Sequence, residues 1–206
     1  VELRVEFFDS IAHGYEKLVA AQEHADFFHS WIDLTNQSPV RDENGFFYSA
    51  MFSANRHSSL RTTVFNPKAA VRFKWRAPLF TPLTLGLINQ CYLGKNRKFP
   101  QKTQSVHNFI FPSEGRLWYF NMFGKSGIIE HQVLIPASEV DPYLRRLKAI
   151  LLDKRPFVSL CHIKNFSRSG GLLNFDGHGL CLAIHFKVGQ AALEVLDLVD
   201  KLNCEL

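Results

Sequence analysis

The sequence lacks most of the short motifs that mark metal centres and catalytic loops. Its four cysteines (Cys91, Cys161, Cys181 and Cys204) lie far apart and form no CxxC pair. That spacing argues against a zinc site and fits free thiols in a reducing compartment. There is no HExxH, no GxSxG and no glycine-rich phosphate loop. A zincin helix, a serine-hydrolase elbow and a nucleotide-phosphate cradle are therefore not written in the chain. No apolar run reaches the roughly 18 residues of a membrane span, and no basic-then-apolar leader opens the sequence. A cytoplasmic setting is expected, with membrane association left open.

What is present is a large potential core. Hydrophobic residues make up 46% of the 206 residues, and 19 of them are Phe, so burial can offset the entropy of ordering the chain. The net charge is +5 and the pI about 9.1. Basic residues are dispersed, with small clusters at residues 72–76 and 95–102. These read as a solvated basic surface, or as a patch for phosphate groups or acidic lipid headgroups. Both ends read as cut. Val1 leads straight into a strand-like run without an initiator Met, and Leu206 follows directly on a helix-like segment, where frayed residues are usual.

Periodicity predicts the order of elements. Leu3, Val5 and Phe7 alternate with Glu2, Arg4 and Glu6 over residues 1–8, a strand. Asp9 or Ser10 caps a helix reaching about residue 24. Strand-like runs follow at 26–34 and 46–54, joined by a loop at 36–44. The last third repeats this pattern: a strand at 128–135, a helix from about 138 to 153, strands at 157–166 and 180–188, and a final helix at 191–203. A turn is expected at 167–171. The middle is broken by Pro67, Pro78, Pro82 and Pro100. Thr81-Pro82 is a helix start there, with short strands expected at 107–111 and 117–122. The predicted fold is α+β: an antiparallel sheet of two β-α-β-β units, helices covering one face and the other face free to meet a ligand.

Alternation also assigns side chains to that free face. On 180–188, Cys181, Ala183 and His185 oppose Leu182, Ile184 and Phe186. On 128–135, Glu130 and Gln132 oppose Ile129, His131 and Val133. On 157–166, His162, Lys164 and Phe166 oppose Cys161 and Ile163. A solvated sheet face alternates in the same way. The mixture of carboxylate, amide, cation, imidazoles and an aromatic is what suits a polar ligand. No nucleophile–base pair is legible, so the pattern supports binding and leaves the catalytic residues unassigned.

The run from Gly127 to Val140 (GIIEHQVLIPASEV), with residues 157–166, 173–188 and Trp31-Ile32-Asp33, resembles the substrate (cap) domain of the vanillyl-alcohol-oxidase-type flavoproteins. Within that family the match is to the branch acting on decaprenyl-phospho-ribose, and it spans almost the whole chain. The resemblance implies an FAD-dependent oxidase or dehydrogenase acting on CH–OH groups. FAD would be held by a separate domain of the same polypeptide, with this sheet forming the pocket over the flavin. This chain alone would then be inactive and carry no FAD. Residue by residue, the family's two pocket glutamines match Glu130 and Gln132, and its KxF element matches Lys164 and Phe166. Its asparagine before the reactive cysteine matches Cys181, the reactive cysteine matches Ala183, and a pocket tyrosine matches Ile110. With His162 and His185, these are the expected substrate contacts. An ion pair between Glu130 and Lys164 is expected, which would favour a neutral polyol, sugar or other alcohol over a phosphorylated lipid. The competing readings are a non-catalytic small-molecule-binding domain and an RNA-binding module. The RNP aromatic pattern is missing, which disfavours nucleic acid.

Overall fold

A computed structural model describes residues 1–35, 44–52, 78–110, 117–168 and 177–205. The elements in chain order are β1 (Glu2–Phe8), α1 (Ile11–Ala21), β2 (Phe27–Asp33), β3 (Asn44–Met51), α2 (Pro82–Lys98), β4 (Gln101–Thr103), α3 (Val106–Ile110), α4 (Leu117–Asn121), β5 (Ile128–Pro136), α5 (Val140–Lys154), β6 (Val158–Arg168), β7 (Gly177–Lys187) and α6 (Gln190–Asn203). A single 3-10 turn, Ala137–Glu139, leads into α5. The loop expected between β2 and β3, the basic cluster at 72–76 and position 111 lie outside the described residues. So does most of the turn expected at 167–171, whose first two residues instead extend β6.

The seven strands form one antiparallel sheet in the order β4-β1-β3-β2-β6-β7-β5. This is the α+β architecture expected from periodicity. Its internal logic is a repeat: β1-β3-β2 of the first unit mirrors β5-β7-β6 of the second, and the halves join where β2 meets β6. The seam is short of ladder bonds but not of polar partners. Buried Ser30 donates from Oγ to the Ile163 carbonyl at 2.7 Å and accepts from the Ile163 N–H at 2.7 Å. Replacing Ser30 with Ala strands both backbone groups in the core. We expect a loss of about 2 kcal/mol, read from urea denaturation; an unchanged midpoint would show that the seam does not depend on the hydroxyl.

The two sheet faces have different cores. On one face Ile32, Phe47, Cys161, Ile163, Leu180, Leu182, Ile184 and Phe186 pack beneath α1, α5 and α6. These helices present Leu18, Tyr143, Leu147, Val195 and Val199 at the three- and four-residue spacing of an apolar stripe. On the other face Trp31, Phe46 and Tyr48 pack beneath α2 and α3 through Leu93 and Phe109. The expectation of helices on one face thus needs correction. The second face is covered over β1, β3 and β2 and, at one end of β5, β7 and β6, by Phe80 and Phe123 packed on Ile128 and Phe157; among the described residues it leaves Glu130, Gln132 and Lys164 exposed. The covering helix α2 is fixed by a capping box between Thr81 and Thr84, with Pro82 at its first position.

Two short elements also differ from expectation. The segments at 107–110 and 117–121 are helices, not strands. In α3 the Ser105 hydroxyl accepts from the Asn108 N–H at 3.2 Å, a cap that turns the chain helical, and Phe109 is buried in the core with Val106 packed at its edge. After α4, Tyr119 and Phe123, four residues apart, both meet Phe80, a spacing only a helical turn can bring together.

Candidate functional site

The register of β5, β7 and β6 sets the candidate residues in three cross-strand rows. Glu130, His185 and Leu160 are paired in the first; Gln132, Ala183 and His162 in the second; Leu134, Cys181 and Lys164 in the third. Phe166 follows opposite Gly179. A β-bulge at Ser159 puts Val158 and Leu160 in opposite cores, so Leu160 ends on this face. The strand between Glu130 and Lys164 carries the tightest backbone of the site. At Gly179 (φ +146) an added Cβ would lie 2.0 Å from the Ile135 carbonyl oxygen, so only glycine fits.

Glu130 and His185 form the closest carboxylate–imidazole contact of the face. Their Oε2 and Nε2 atoms are 3.0 Å apart, with the carboxylate side chain 47% exposed and the imidazole 12% exposed. With the imidazole neutral, this is a polar contact and not an aligned hydrogen bond. The other ring nitrogen, Nδ1, is buried with no hydrogen-bond partner among the described residues. Burial pushes the His185 pKa down, and Glu130 pulls against it. Beside the pair, Ser159 Oγ donates to the His185 carbonyl at 3.3 Å and lies 3.1 Å from the Tyr119 hydroxyl. Burial raises the Tyr119 pKa, and the charge of Glu130 adds to it.

The expected Glu130–Lys164 pair does not form. Lys164 stands one row beyond Ala183, so it is separated from Glu130 by four residues along the strands, about 13 Å, and by two strand spacings of about 4.8 Å. Among the described residues Lys164 has no ion-pair partner, and its side of the face is exposed. Its charge acts instead on two histidines. His162 is depressed to about 3, by burial first and then by Lys164, His29 and His185. His29 is depressed to about 4, by burial, Lys164 and Lys102. The His162 and His185 rings meet edge to face, with centroids 6.1 Å apart. Continuing the Ile32–Cys161 pairing along antiparallel strands sets His29 opposite Lys164.

Other candidates are placed less favourably. Ala183 and Cys181 have no exposed surface, because Gln132, His162 and Lys164 rise from the strands on either side. Gln132 Nε2 donates to Cys181 Sγ at 3.4 Å, and burial raises the thiol pKa. Phe166 is half-buried. Ile110 ends α3, exposed, on a helix and not on the strand expected for it. Three residues went unassigned in the sequence: His29, Tyr119 and Ser159. The alternation Phe27, His29, Trp31 marks the first as a residue of this face; the others depend on a helix and a bulge that periodicity does not reveal. Of the face residues, Glu130, Gln132 and Lys164 are exposed, whereas Ala183 and Cys181 are buried and His185 nearly so. Among the described residues two grooves lie elsewhere, of about 840 Å³ between β1, β4 and the end of α1, and about 330 Å³ around Thr35 and Phe157. The chemistry is concentrated on the face, so the face and not either groove is the candidate site. No family model matches the chain, and no curated protein matches it.

Proposed function

We propose that this chain is the substrate-binding domain of an FAD-dependent oxidoreductase that oxidises an alcohol or sugar-type substrate by hydride transfer to flavin. The observation that supports it most is the polar patch on β6, β7 and β5, where Glu130, Gln132 and Lys164 are exposed. It carries an exposed carboxylate backed by a buried imidazole, beside a half-face already closed by α2 and α3. A polar sheet surface with a closed neighbour suits a role as the roof of a site whose other wall is supplied by a second domain. The residues fit a flavin ring in that role. Above the small, buried Ala183 and Cys181, the side chains of Gln132, His162 and Lys164 would offer a flavin ring polar contacts. Nothing in the sequence fits the dinucleotide phosphates, which the second domain would hold.

In this reading the flavin, when bound, supplies the hydride acceptor. The chain's own residues position the alcohol and exclude water. Glu130 would serve as the exposed base, with His185 behind it as a second proton station. Gln132 and Lys164 offer donors to hydroxyl oxygens. The unneutralised Lys164 also tolerates an anionic group, which widens the expected substrates beyond neutral polyols.

Two measurements test the reading. The natural full-length protein is expected to purify with flavin, and its visible band to bleach anaerobically with at least one member of an alcohol and sugar panel. A colourless full-length protein that takes up no FAD on titration would instead favour a non-catalytic small-molecule-binding domain. The 206-residue chain alone is expected neither to retain FAD through gel filtration nor to turn over substrate; a yellow preparation would count against the assignment.

A further inference from the structure

Helix α2 turns the wrong residues outward for a helix that faces only water. Its buried side is Leu85, Asn89, Leu93 and Asn96. The two asparagines are held inward by specific bonds: Asn89 Nδ2 donates to Asp33 Oδ1 at 2.8 Å, and Asn96 accepts from the Tyr48 hydroxyl and donates to the Tyr92 carbonyl at 2.9 Å. These bonds fix the rotation of the helix. The opposite side therefore presents Leu83 and Leu87, 73% and 61% exposed, with Ile88 beside them and the exposed Cys91 one turn on. Leu79 before the helix and Phe99 after it are exposed as well. Single exposed leucines are ordinary, but a run at four-residue spacing on one ridge marks an interaction surface.

Charge indicates the partner. Continuing the same ridge, Lys95 and Lys98 occupy the last turn. Residues 44–113 contain ten of the 24 Lys and Arg and none of the 19 Asp and Glu, leaving fourteen basic against nineteen acidic residues elsewhere. Of these ten, the described Lys95, Arg97 and Lys98 lie in the last turn of α2 and Lys102 in β4 just after it. An aliphatic ridge with a basic end and no carboxylates suits the boundary of an anionic lipid surface, where leucines enter the acyl region and lysines reach headgroup phosphates. Nucleic acid would meet the charge but gain no stacking from Leu83, Leu87 and Ile88. Among the described residues no helix is long and apolar enough to cross a membrane, so the contact is one that lies on the surface.

We propose that the outer ridge of α2, from Leu83 to Lys98, docks this protein on an anionic membrane surface. The inference is independent of the flavin reading and needs neither cofactor nor substrate to test. The 206-residue chain is mixed with phosphatidylcholine vesicles, with or without a third phosphatidylglycerol, and centrifuged. It is expected to pellet with the anionic vesicles at low salt, to be released by added salt, and to stay in solution with phosphatidylcholine alone. Leu83→Gln with Leu87→Gln, which leaves the charge intact, is expected to weaken partitioning by at least about tenfold. Lys95→Gln with Lys98→Gln is expected to weaken it about fivefold per lysine. Circular dichroism of each variant checks that the fold survives. As a second readout, an environment-sensitive dye on Cys91, in a Cys204→Ser background, is expected to shift to the blue on anionic vesicles. The proposal is overturned if the chain stays in the supernatant with anionic vesicles, or if the double leucine variant pellets as well as the parent. Binding to poly(U) RNA without binding to vesicles would also overturn it, in favour of a nucleic-acid surface.

Discussion

Lowering the pH from 7 to 4 is expected to withdraw about 4 kcal/mol of stability, most of it before any ordinary carboxylate titrates. The cause is the pair of rings held next to Lys164. His29 and His162 titrate near 4 and 3 in the folded protein, against 6.5 when free. Both are depressed, so folding favours their neutral forms. Above pH 6.5 neither state binds the protons and the contribution is complete. As the pH falls below 6.5, the unfolded chain takes up protons that the folded chain refuses, and stability declines until the folded pKa values are reached. At about 1.4 kcal/mol per pH unit for each ring, the combined effect would exceed this figure; water at their partly exposed edges reduces it. Urea denaturation at half-unit pH steps reads the slope directly. Exchanging both rings for Asn is expected to flatten the curve between pH 6.5 and 4. Lys164→Met is expected to flatten it less, because burial and not the lysine is the larger cause at both rings. A curve already flat in the parent protein would show that water reaches these rings freely.

Much of this arrangement was legible before any coordinates. Strand alternation put Glu130, Gln132, His162, Lys164 and His185 on one face, and the structure has them there, because a period of two survives any error in strand length. Pro136, the last residue of β5, and Gly189, just before α6, bounded the second unit as expected, while β7 begins three residues before the expected start. The middle of the chain was not legible. At 107–110 the β-branched and aromatic residues suggest a strand, and a serine cap with one buried phenylalanine decides for a helix. Pairing across strands was also hidden. Alternation says which side chains share a face, but not which rows they share. The expected Glu130–Lys164 contact failed on register alone, and the observed Glu130–His185 contact rests on the same register. The covering of half the open face by α2 had no sequence signal either, because the helix buries asparagines and exposes leucines.

Under the proposed function, Glu130→Gln in the full-length flavoprotein is expected to slow flavin reduction by the best substrate by about a hundredfold or more, the usual scale for losing a positioned base. The substitution keeps the size and hydrogen-bonding reach of the side chain, so binding should change little and the loss should fall on kcat. The pH profile separates this role from a structural one. His185 is neutral at pH 7, since burial holds its pKa below 6.5 and the Glu130 charge only partly restores it. As a second proton station His185 takes a proton only when neutral, so activity in the parent is expected to show an acid limb as His185 protonates, on the acid side of an ordinary histidine. Removing the Glu130 charge removes the influence that raises the His185 pKa. Any residual activity in Glu130→Gln that depends on His185 should therefore show its acid limb displaced to lower pH. His185→Asn leaves the carboxylate in place and is expected to slow the reaction less, with the His185 limb gone. Equal kcat in the parent and Glu130→Gln, with only KM raised, would reassign Glu130 to holding the substrate. An unmoved acid limb in the residual activity would separate His185 from the proton path and leave the 3.0 Å contact as a structural one.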